Sequence, residues 1–451
     1  MSDITTVIEL AGALSAAGGL GYAKGHAPRV FWSLAGLPVA RVRFAATYHS
    51  TMDVCGLTVQ PSRLRAFMVR NVARRQDVQP VPPKVRKVRG SFTGMRATLR
   101  LPAGLEPADV AAASERLRHA WGVHSVHVVE TKPGFVELRM TGYDVLRRVK
   151  MPRRLPRGAS GPMVVPVALR EDGTAFVRDY TKIPHSLTLG ANQSGKSMYQ
   201  RNLITELAKL PVGLVGIDCK RGVEQRGYAP RLSALAVTPD EASSLLEALV
   251  GEMESRFDVL STHGVSDLWA LPVKVRPVPL VVLVDEVAEL FLTAAKKDEE
   301  RRDRMVMHMI RLAQMARAVG IYLEVCGQRF GSELGKGATM LRAQLTGRVV
   351  HRVNDKQTAD MGLGDIAPEA VFAVTTIPPD RPGVAVAGDS SGGWSRIRTP
   401  EMSAADAVAI CHEHAHLTPD IPALAPFRPA VPATTAPAGP SPLLKPGPVT
   451  E

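Results

Sequence analysis

Short apolar runs alternate in the central part of the chain with stretches whose apolar residues recur at helical spacing. This alternation is typical of a parallel β-sheet that is buried on both faces, with a helix between successive strands. The apolar runs lie at 186–189, 212–217, 279–284 and 321–326. The pattern therefore predicts an α/β fold with these four runs as parallel strands.

Helix signals separate the predicted strands. Residues 197–210 carry apolar positions at helical spacing, and Pro211 ends them. Thr238-Pro239-Asp240-Glu241 is a capping box with proline in the first turn, which predicts a helix from there to about Leu260.

A different pattern precedes the central part, between Ser91 and Met140. Residues 107–120 are helical by spacing, whereas 123–130 and 135–140 alternate as strands around a turn that contains Pro133 and Gly134. This region is expected to form a small α+β module.

Two stretches near the N-terminus are apolar without resembling a membrane span. Residues 4–22 are rich in Gly and Ala, and 29–48 carries Arg41 and Arg43 near its middle, which is costly at bilayer depth. The composition favours a soluble or membrane-peripheral segment over a spanning helix. We therefore expect a cytoplasmic protein that can lie at the inner face of the membrane.

Positive charge changes this picture. Lysine and arginine number 56 against 43 acids, a net charge of +13, which favours an anionic partner such as nucleic acid or membrane phospholipid. The charge is dense at 63–89 and again at 147–157. The first of these runs is predicted to be a basic helix followed by a linker, and either a solvated or membrane-surface helix or a phosphate-contacting arm would have this composition. The four cysteines are scattered, as in cytosolic proteins.

These patterns divide the chain into four predicted regions. They are an N-terminal apolar and basic region (1–90), the small α+β module with its basic linker (91–157), an α/β domain (158–400), and a short helix with a Pro- and Ala-rich tail (401–451). The tail from Leu417 onwards is predicted to be disordered.

The most specific motif follows the first predicted strand. Its residues fit the phosphate-loop pattern G-x-x-x-x-G-K-[ST] and are Gly190, Ala191, Asn192, Gln193, Ser194, Gly195, Lys196 and Ser197. Glycines let backbone N–H groups face phosphate oxygens, Lys196 is expected to reach the β- and γ-phosphates, and Ser197 is expected to bind Mg²⁺. The motif predicts binding of ATP with Mg²⁺.

Two carboxylates end the apolar run at 279–284. We expect Asp285 to contribute to the Mg²⁺ site and Glu286 to polarise the attacking water. Gln328, just beyond the run at 321–326, is a candidate sensor of the γ-phosphate. Arg348, in a further predicted strand at 347–353, is the first candidate for an arginine that acts on a neighbouring subunit's nucleotide, although ordinary surface arginines would look the same.

These motifs together resemble the FtsK/SpoIIIE family of DNA-pumping ATPases. The resemblance rests on Ile183-Pro184-His185-Ser186-Leu187, Ile217-Asp218-Cys219-Lys220, Gly251 to Phe257, Asp285-Glu286 and Gly327-Gln328-Arg329, in this order. Asn192-Gln193 stands where the family more usually has Thr-Gly or Ser-Gly. The small module is also similar to the domain that precedes the motor in that family, and the chain looks most like the FtsK-like transfer proteins of actinobacterial plasmids and integrative elements.

The resemblance implies a RecA-like P-loop NTPase motor, a homo-oligomeric, hexameric ring around double-stranded DNA, and ATP-driven translocation. For the plasmid branch it implies DNA transfer between cells at the membrane. A chromosome-segregation pump and an FtsK-like ATPase of protein secretion remain the alternatives.

Overall fold

The computed structural model describes residues 21–60, 80–291, 296–331, 334–389 and 392–430. The first part of the predicted basic helix and linker at 63–89, most of the first apolar stretch and the end of the Pro-rich tail lie outside these residues. No helix in the described ranges is long and apolar enough to cross a lipid bilayer.

The elements are numbered in chain order. The strands are β1 (Lys84–Gly90), β2 (Gly94–Arg100), β3 (Ser125–Lys132), β4 (Phe135–Thr141), β5 (Val164–Arg170), β6 (Ala175–Asp179), β7 (His185–Leu189), β8 (Gly213–Ile217), β9 (Leu232–Ala236), β10 (Leu280–Val284), β11 (Ile321–Gly327), β12 (Gly347–His351), β13 (Val384–Gly388) and β14 (Trp394–Arg398). The α-helices are α1 (Pro28–Phe31), α2 (Leu37–Val54), α3 (Pro107–Ala112), α4 (Ser114–Trp121), α5 (Lys196–Ala208), α6 (Pro239–Thr262), α7 (Val287–Phe291), α8 (Lys296–Met315), α9 (Ala338–Gln344), α10 (Lys356–Leu363), α11 (Pro368–Thr375) and α12 (Ala404–Glu413).

The chain divides into two compact units. The first contains the residues up to Leu203, Gln328–Phe330 and Thr346–Met402, and the second contains Ile204–Gly327, Gly331–Leu345 and the residues from Ser403 onwards. Each is described here by itself.

The first unit begins with the small α+β module. Its antiparallel sheet has the strand order β1-β2-β4-β3. Helix α2 contributes Phe44, Tyr48 and Met52 to the module's core, at the i, i+4, i+8 spacing that places them on one helix face. The module therefore begins before residue 91, where sequence analysis had placed its boundary. Residues 84–89, the end of the basic run that was predicted to finish in a linker, belong to strand β1, which pairs antiparallel with β2 with one register shift between Val85 and Lys87.

The rest of the first unit surrounds the strand that precedes the phosphate loop. Strand β7 pairs in parallel with β12, and antiparallel pairing continues from β12 through β13, β14 and β5 to β6. All five residues of β7 are buried, as the apolar run predicts.

The second unit contains the other parallel strands. Strand β10 pairs in parallel with β11 on one side and with β8 on the other, and β8 pairs in parallel with β9. Thr238 caps α6 through its side chain, as predicted. The two units together confirm the predicted fold class, a mostly parallel sheet flanked by helices.

The beginning of the Pro-rich tail is folded, so its predicted disorder is wrong for residues 417–430. Thr418 Oγ1 donates a 2.9 Å hydrogen bond to the carbonyl of Pro230, and Ser233 Oγ donates one of 3.3 Å to the carbonyl of Pro419. Leu424 is fully buried. The proline-rich composition of this short segment predicts disorder, but apolar side chains such as Leu424 are buried within the second unit.

Candidate active site

The phosphate loop connects β7 to helix α5, which begins at Lys196. The N–H of Ser194 donates a 3.2 Å hydrogen bond to the carbonyl of Ala191, which closes the turn. Two residues have left-handed backbone angles, Gln193 at φ 59° and Gly195 at φ 101°. The first N–H groups of α5 have no acceptor within the helix, and with the helix dipole they form an anion-binding end.

Two segments distant in sequence hold this loop. Arg352, just after β12, accepts a 2.9 Å hydrogen bond from the N–H of Ala191 and donates one of 3.2 Å from Nη2 to the carbonyl of Asn192. From the other direction, the N–H of Gly383 donates a 2.9 Å hydrogen bond to the carbonyl of Ser194. A Cβ on Gly195 would lie 2.1 Å from the nitrogen of Gly383, so only glycine fits there.

A buried histidine lies under the loop. His351 is 0% exposed, and a Cβ on Gly190 would lie 2.8 Å from the Cβ of His351. Burial, and less strongly the charge of Lys196, lowers the pKa of His351 to about 4, and the neighbouring backbone of Val384 only partly opposes this shift. The imidazole is therefore neutral at physiological pH and adds no positive charge beside Lys196.

The acidic pair follows β10 in the second unit. Asp285 is 4% and Glu286 6% exposed, and they share one cation, Lys220. Lys220 Nζ lies 3.4 Å from Asp285 Oδ2 and 3.8 Å from Glu286 Oε2. Partial burial opposes the charge of Lys220, but the two carboxylates outweigh it and raise the pKa of Lys220.

Lys220 is held by the loop that follows β8. Asp218 is fully buried, and its carboxylate accepts hydrogen bonds from the backbone N–H groups of Lys220, Glu224 and Gln225 at 3.2, 2.9 and 3.1 Å. Such a carboxylate fixes the loop backbone, because three donors converge on it. Asp218 is therefore a support for the site, and Lys220 is the residue that reaches the acids.

The two remaining candidates differ in exposure. Gln328 follows β11 and is exposed, so its amide is accessible to a ligand. Arg348 is 6% exposed within β12, between Leu187 of β7 and Gly388 of β13. For Arg348 to act on a neighbouring chain, its side chain would have to leave this buried position.

Three residues that sequence analysis did not assign to the site belong to it by contact: Lys220, Arg352 and Gly383. Lys220 could have been found from the sequence, because it follows a buried apolar strand just as Asp285 and Glu286 do. Arg352 and Gly383 are separated from the loop by more than 150 residues, and their contacts depend on strand pairing that no local pattern encodes.

The described residues include no group of three or more His, Cys, Asp or Glu side chains that could hold a metal ion. A Mg²⁺ bound with a nucleotide does not need such a group. It takes most of its ligands from phosphate and water oxygens and one or two from protein hydroxyls or carboxylates. Ser197 and Asp285 are ligands of these kinds.

The chain is similar to known proteins over most of its length. Residues 17–142 match the actinomycete conjugal transfer protein N-terminal domain, and residues 158–274 and 270–332 match the FtsK/SpoIIIE family. The chain is 53% identical over 420 residues to the transfer protein TraSA of Streptomyces ambofaciens, covering 91% of this chain and 100% of that protein.

More distant similarities are confined to parts of the chain or to the fold. The DNA translocase FtsK of Tropheryma whipplei is 34% identical over 213 residues, which are 43% of this chain and 27% of that protein. The solved structure of the pCW3 conjugation coupling protein TcpA with ATPγS covers 74% of this chain and 93% of its own, with a TM-score of 0.52 and 19% identity. That likeness concerns the fold.

The fold and the phosphate loop define a P-loop ATPase. Within that class, the match over the whole length of TraSA and the match of residues 158–274 and 270–332 to the FtsK/SpoIIIE family identify the family. The chain belongs to the FtsK/SpoIIIE family.

Proposed function

We propose that this protein is an ATP-driven translocase of double-stranded DNA that acts in the conjugative transfer of a plasmid or integrative element between cells. The observation that carries the proposal is the 53% identity to a transfer protein over that protein's whole length, together with a complete phosphate loop. The net charge of +13 supports a polyanionic partner.

We assign the following roles to the site residues. The backbone N–H groups of 190–197 and the Lys196 ammonium bind the phosphates of ATP, while Ser197 and Asp285 hold Mg²⁺. The metal supplies charge neutralisation at the phosphates. Glu286 accepts a proton from the attacking water and orients it, and Lys220 keeps the two carboxylates in place. Gln328 senses whether a γ-phosphate is present.

Assembly is part of the proposal. We propose a homo-oligomeric ring, with six subunits as the expected number, in which DNA contacts come from basic residues along the phosphate backbone. An arginine from the adjacent subunit completes charge neutralisation at the γ-phosphate. Arg348 stays the candidate from the sequence, with the condition that its burial must change on assembly.

We also propose peripheral association with the membrane. Three apolar side chains near the N-terminus are largely exposed: Leu34 at 70%, Val39 at 65% and Val42 at 69%. They precede or lie on α2, opposite the face that packs into the module core. Flotation with vesicles of phosphatidylglycerol and phosphatidylethanolamine tests this, and a protein that stays at the bottom of the gradient contradicts it.

The decisive experiment measures ATP hydrolysis by the purified chain with and without double-stranded DNA. Lys196→Ala should lose hydrolysis in both conditions, and Glu286→Gln should retain ATP binding but lose turnover by at least about 100-fold, as expected for a general base. Displacement of a triplex-forming oligonucleotide then reports translocation. Hydrolysis that is indifferent to DNA, with ATP binding intact, would overturn the proposed function.

A further inference from the structure

A large basic cleft lies in the first unit, away from the phosphate loop. It has a volume of about 840 Å³ and is lined by residues 24–30 at and before the start of α1, the sheet of the small module, the turn between β5 and β6, and the linker at 145–153. Eight lysine or arginine side chains line it, against two carboxylates, Asp144 and Asp172. Such a concentration of one charge in a concave surface attracts anions.

Most of the positive charge of the cleft is not neutralised by the residues that the structure describes. Arg96 and Arg139 lie 3.8 and 3.7 Å from Glu137, and Arg96 also lies 3.9 Å from Asp172. Asp144 pairs with Arg381, which does not line the cleft. Four linker cations, Arg147, Arg148, Lys150 and Arg153, are exposed, and none of them forms an ion pair with an acid in the part of the chain that the structure describes. Like charges at this density repel one another, and a bound polyanion would relieve the repulsion.

The linker is fixed to the turn that contacts the phosphate loop. Arg398 Nη1 donates hydrogen bonds to the carbonyls of Leu146 and Arg147 at 2.9 and 3.2 Å, and its Nε donates one of 3.3 Å to the carbonyl of Pro382. Arg381, the residue before Pro382, forms the ion pair with Asp144. Two side chains of the first unit, Arg398 and Arg381, therefore connect the linker and the residue before it to the turn.

The turn that contains Gly383 packs tightly against the phosphate loop. The N–H of Gly383 donates to Ser194, and the backbone of Gly383 fills the space that a side chain on Gly195 would need. A displacement of the linker that moved Arg398 would therefore also displace Gly195, because the tightly packed atoms between them have little room to compress.

We propose that the cleft binds the phosphodiester backbone of DNA and that its occupation is transmitted through Arg398 to the phosphate loop. This inference rests on the proposed function and adds a DNA contact in the module and linker. The cleft is concave, and four of the seven linker residues that line it are lysine or arginine, which suits a phosphate backbone. Two exposed apolar side chains, Val30 and Phe92, also line it, but the exposed group Leu34, Val39 and Val42 does not.

The first test reverses two linker charges in the full chain. Arg148→Glu with Lys150→Glu is compared with Lys274→Glu and Arg304→Glu, an equally charged pair of changes at exposed positions outside the cleft. Affinity for a fluorescent 30-base-pair duplex is measured by anisotropy across a range of salt concentrations. We expect the cleft variant to bind at least about 10-fold more weakly and its salt slope to fall by about 1.8, the value for two lost phosphate contacts. The control should bind like the unmodified chain.

The outcomes separate this inference from the proposed function. If the unmodified chain binds no DNA, the proposed function fails. If it binds, and the cleft variant has the same affinity and slope, the cleft inference is overturned while the proposed function stands. If the cleft variant binds DNA normally but loses binding to phosphatidylglycerol vesicles, the site is one for lipid headgroups and the DNA assignment is wrong.

The second test concerns the connection. Arg398→Lys keeps the charge, but its three N–H donors leave one nitrogen atom, so they cannot reproduce the spread of the guanidinium fork that reaches Leu146, Arg147 and Pro382. We expect DNA affinity and DNA-free hydrolysis close to those of the unmodified chain, with a several-fold loss of DNA stimulation. Stimulation unchanged in this variant would overturn the connection, and unchanged thermal unfolding serves as the check on folding.

Discussion

Lys220 Nζ lies 3.4 Å from Asp285 Oδ2. Lys220 follows β8, the strand beside β10, and so brings a positive charge to the two acids that the sequence predicts for the active site. The same ammonium is 3.8 Å from Glu286 Oε2. Two nearly buried carboxylates side by side would repel each other without it. Lys220 therefore acts as a positioning residue for both.

Replacing Lys220 with Met should lower kcat for ATP by at least about 10-fold, because misplacing a catalytic carboxylate by a fraction of an ångström is costly. The Kd for ATP should change little, since the phosphate loop is untouched. Steady-state kinetics and equilibrium binding of a fluorescent ATP analogue give the two quantities.

Lys220→Arg is the conservative variant and should restore most of the turnover, whereas Lys274→Met removes an exposed lysine and should change nothing. A parallel loss of kcat and of nucleotide affinity would show that Lys220 supports the fold of the site as a whole instead of the position of Glu286.

Gly195 should not tolerate alanine. Its φ of 101° disfavours any side chain, and the added Cβ would lie 2.1 Å from the nitrogen of Gly383. We expect Gly195→Ala to lower the free energy of unfolding by at least about 2 kcal/mol and to abolish ATP binding, because backbone strain and a clash add together. Urea unfolding and nucleotide titration measure the two effects.

The matched control is Gly251→Ala in α6, where an added Cβ meets no atom within 4 Å. That change should stabilise the protein by about 0.5 to 1 kcal/mol, the usual gain from removing glycine from a helix interior. Equal effects of the two substitutions would contradict the packing of Gly383 on the phosphate loop.

Gln193 occupies a left-handed backbone position, with φ at 59°, where the resemblance leads one to expect glycine. The left-handed conformation costs a side-chain-bearing residue about 1 to 2 kcal/mol. Gln193→Gly removes this strain but enlarges the unfolded ensemble by about 0.4 to 1 kcal/mol, so the net change should be small. Gln193→Val should destabilise by about 1 kcal/mol or more, because branching at Cβ stiffens the side chain.

Thermal unfolding of the three forms checks this order of stability. A valine variant as stable as the glutamine form would show that the loop does not hold residue 193 in the left-handed region in solution.

Much of the fold could be read from local patterns. Strands such as β8 and β10 are buried on both faces, so their sequences are continuous apolar runs, and the cap at Thr238 is a local signal for α6. Strand β1 could not be recognised, because Lys84–Gly90 is basic and almost wholly exposed. Its place in the sheet comes from hydrogen bonds to β2, which composition does not encode.

The same distinction applies to the site. The phosphate loop and Asp285-Glu286 are short motifs whose chemistry is written in consecutive residues. The carbonyl of Arg352 and the N–H of Gly383 hold that loop, and any residue type has a backbone carbonyl or, proline apart, an N–H. The guanidinium of Arg352 adds one side-chain contact, to the carbonyl of Asn192. Contacts of this kind leave no mark in the sequence except the glycine that steric limits require.

Stability should fall as the pH drops below about 6.5, with His351 responsible for a defined part of the loss. Burial holds the pKa of His351 at about 4, whereas the unfolded chain has the ordinary value of 6.5. Between these values the unfolded state binds a proton that the folded state does not, so the folded state loses stability as the pH falls from 6.5 towards 4. A pKa difference of about 2.5 between the two states corresponds to about 3 kcal/mol of stability.

Urea unfolding of the unmodified chain and of His351→Gln at several pH values isolates the contribution of His351, since the stability of the glutamine variant should depend less on pH over that range. His263→Gln, which removes an exposed histidine, should follow the unmodified chain. If the curves of the unmodified chain and of His351→Gln run parallel from pH 7 to pH 4, the neutral, buried imidazole beneath the phosphate loop is the wrong description of this site.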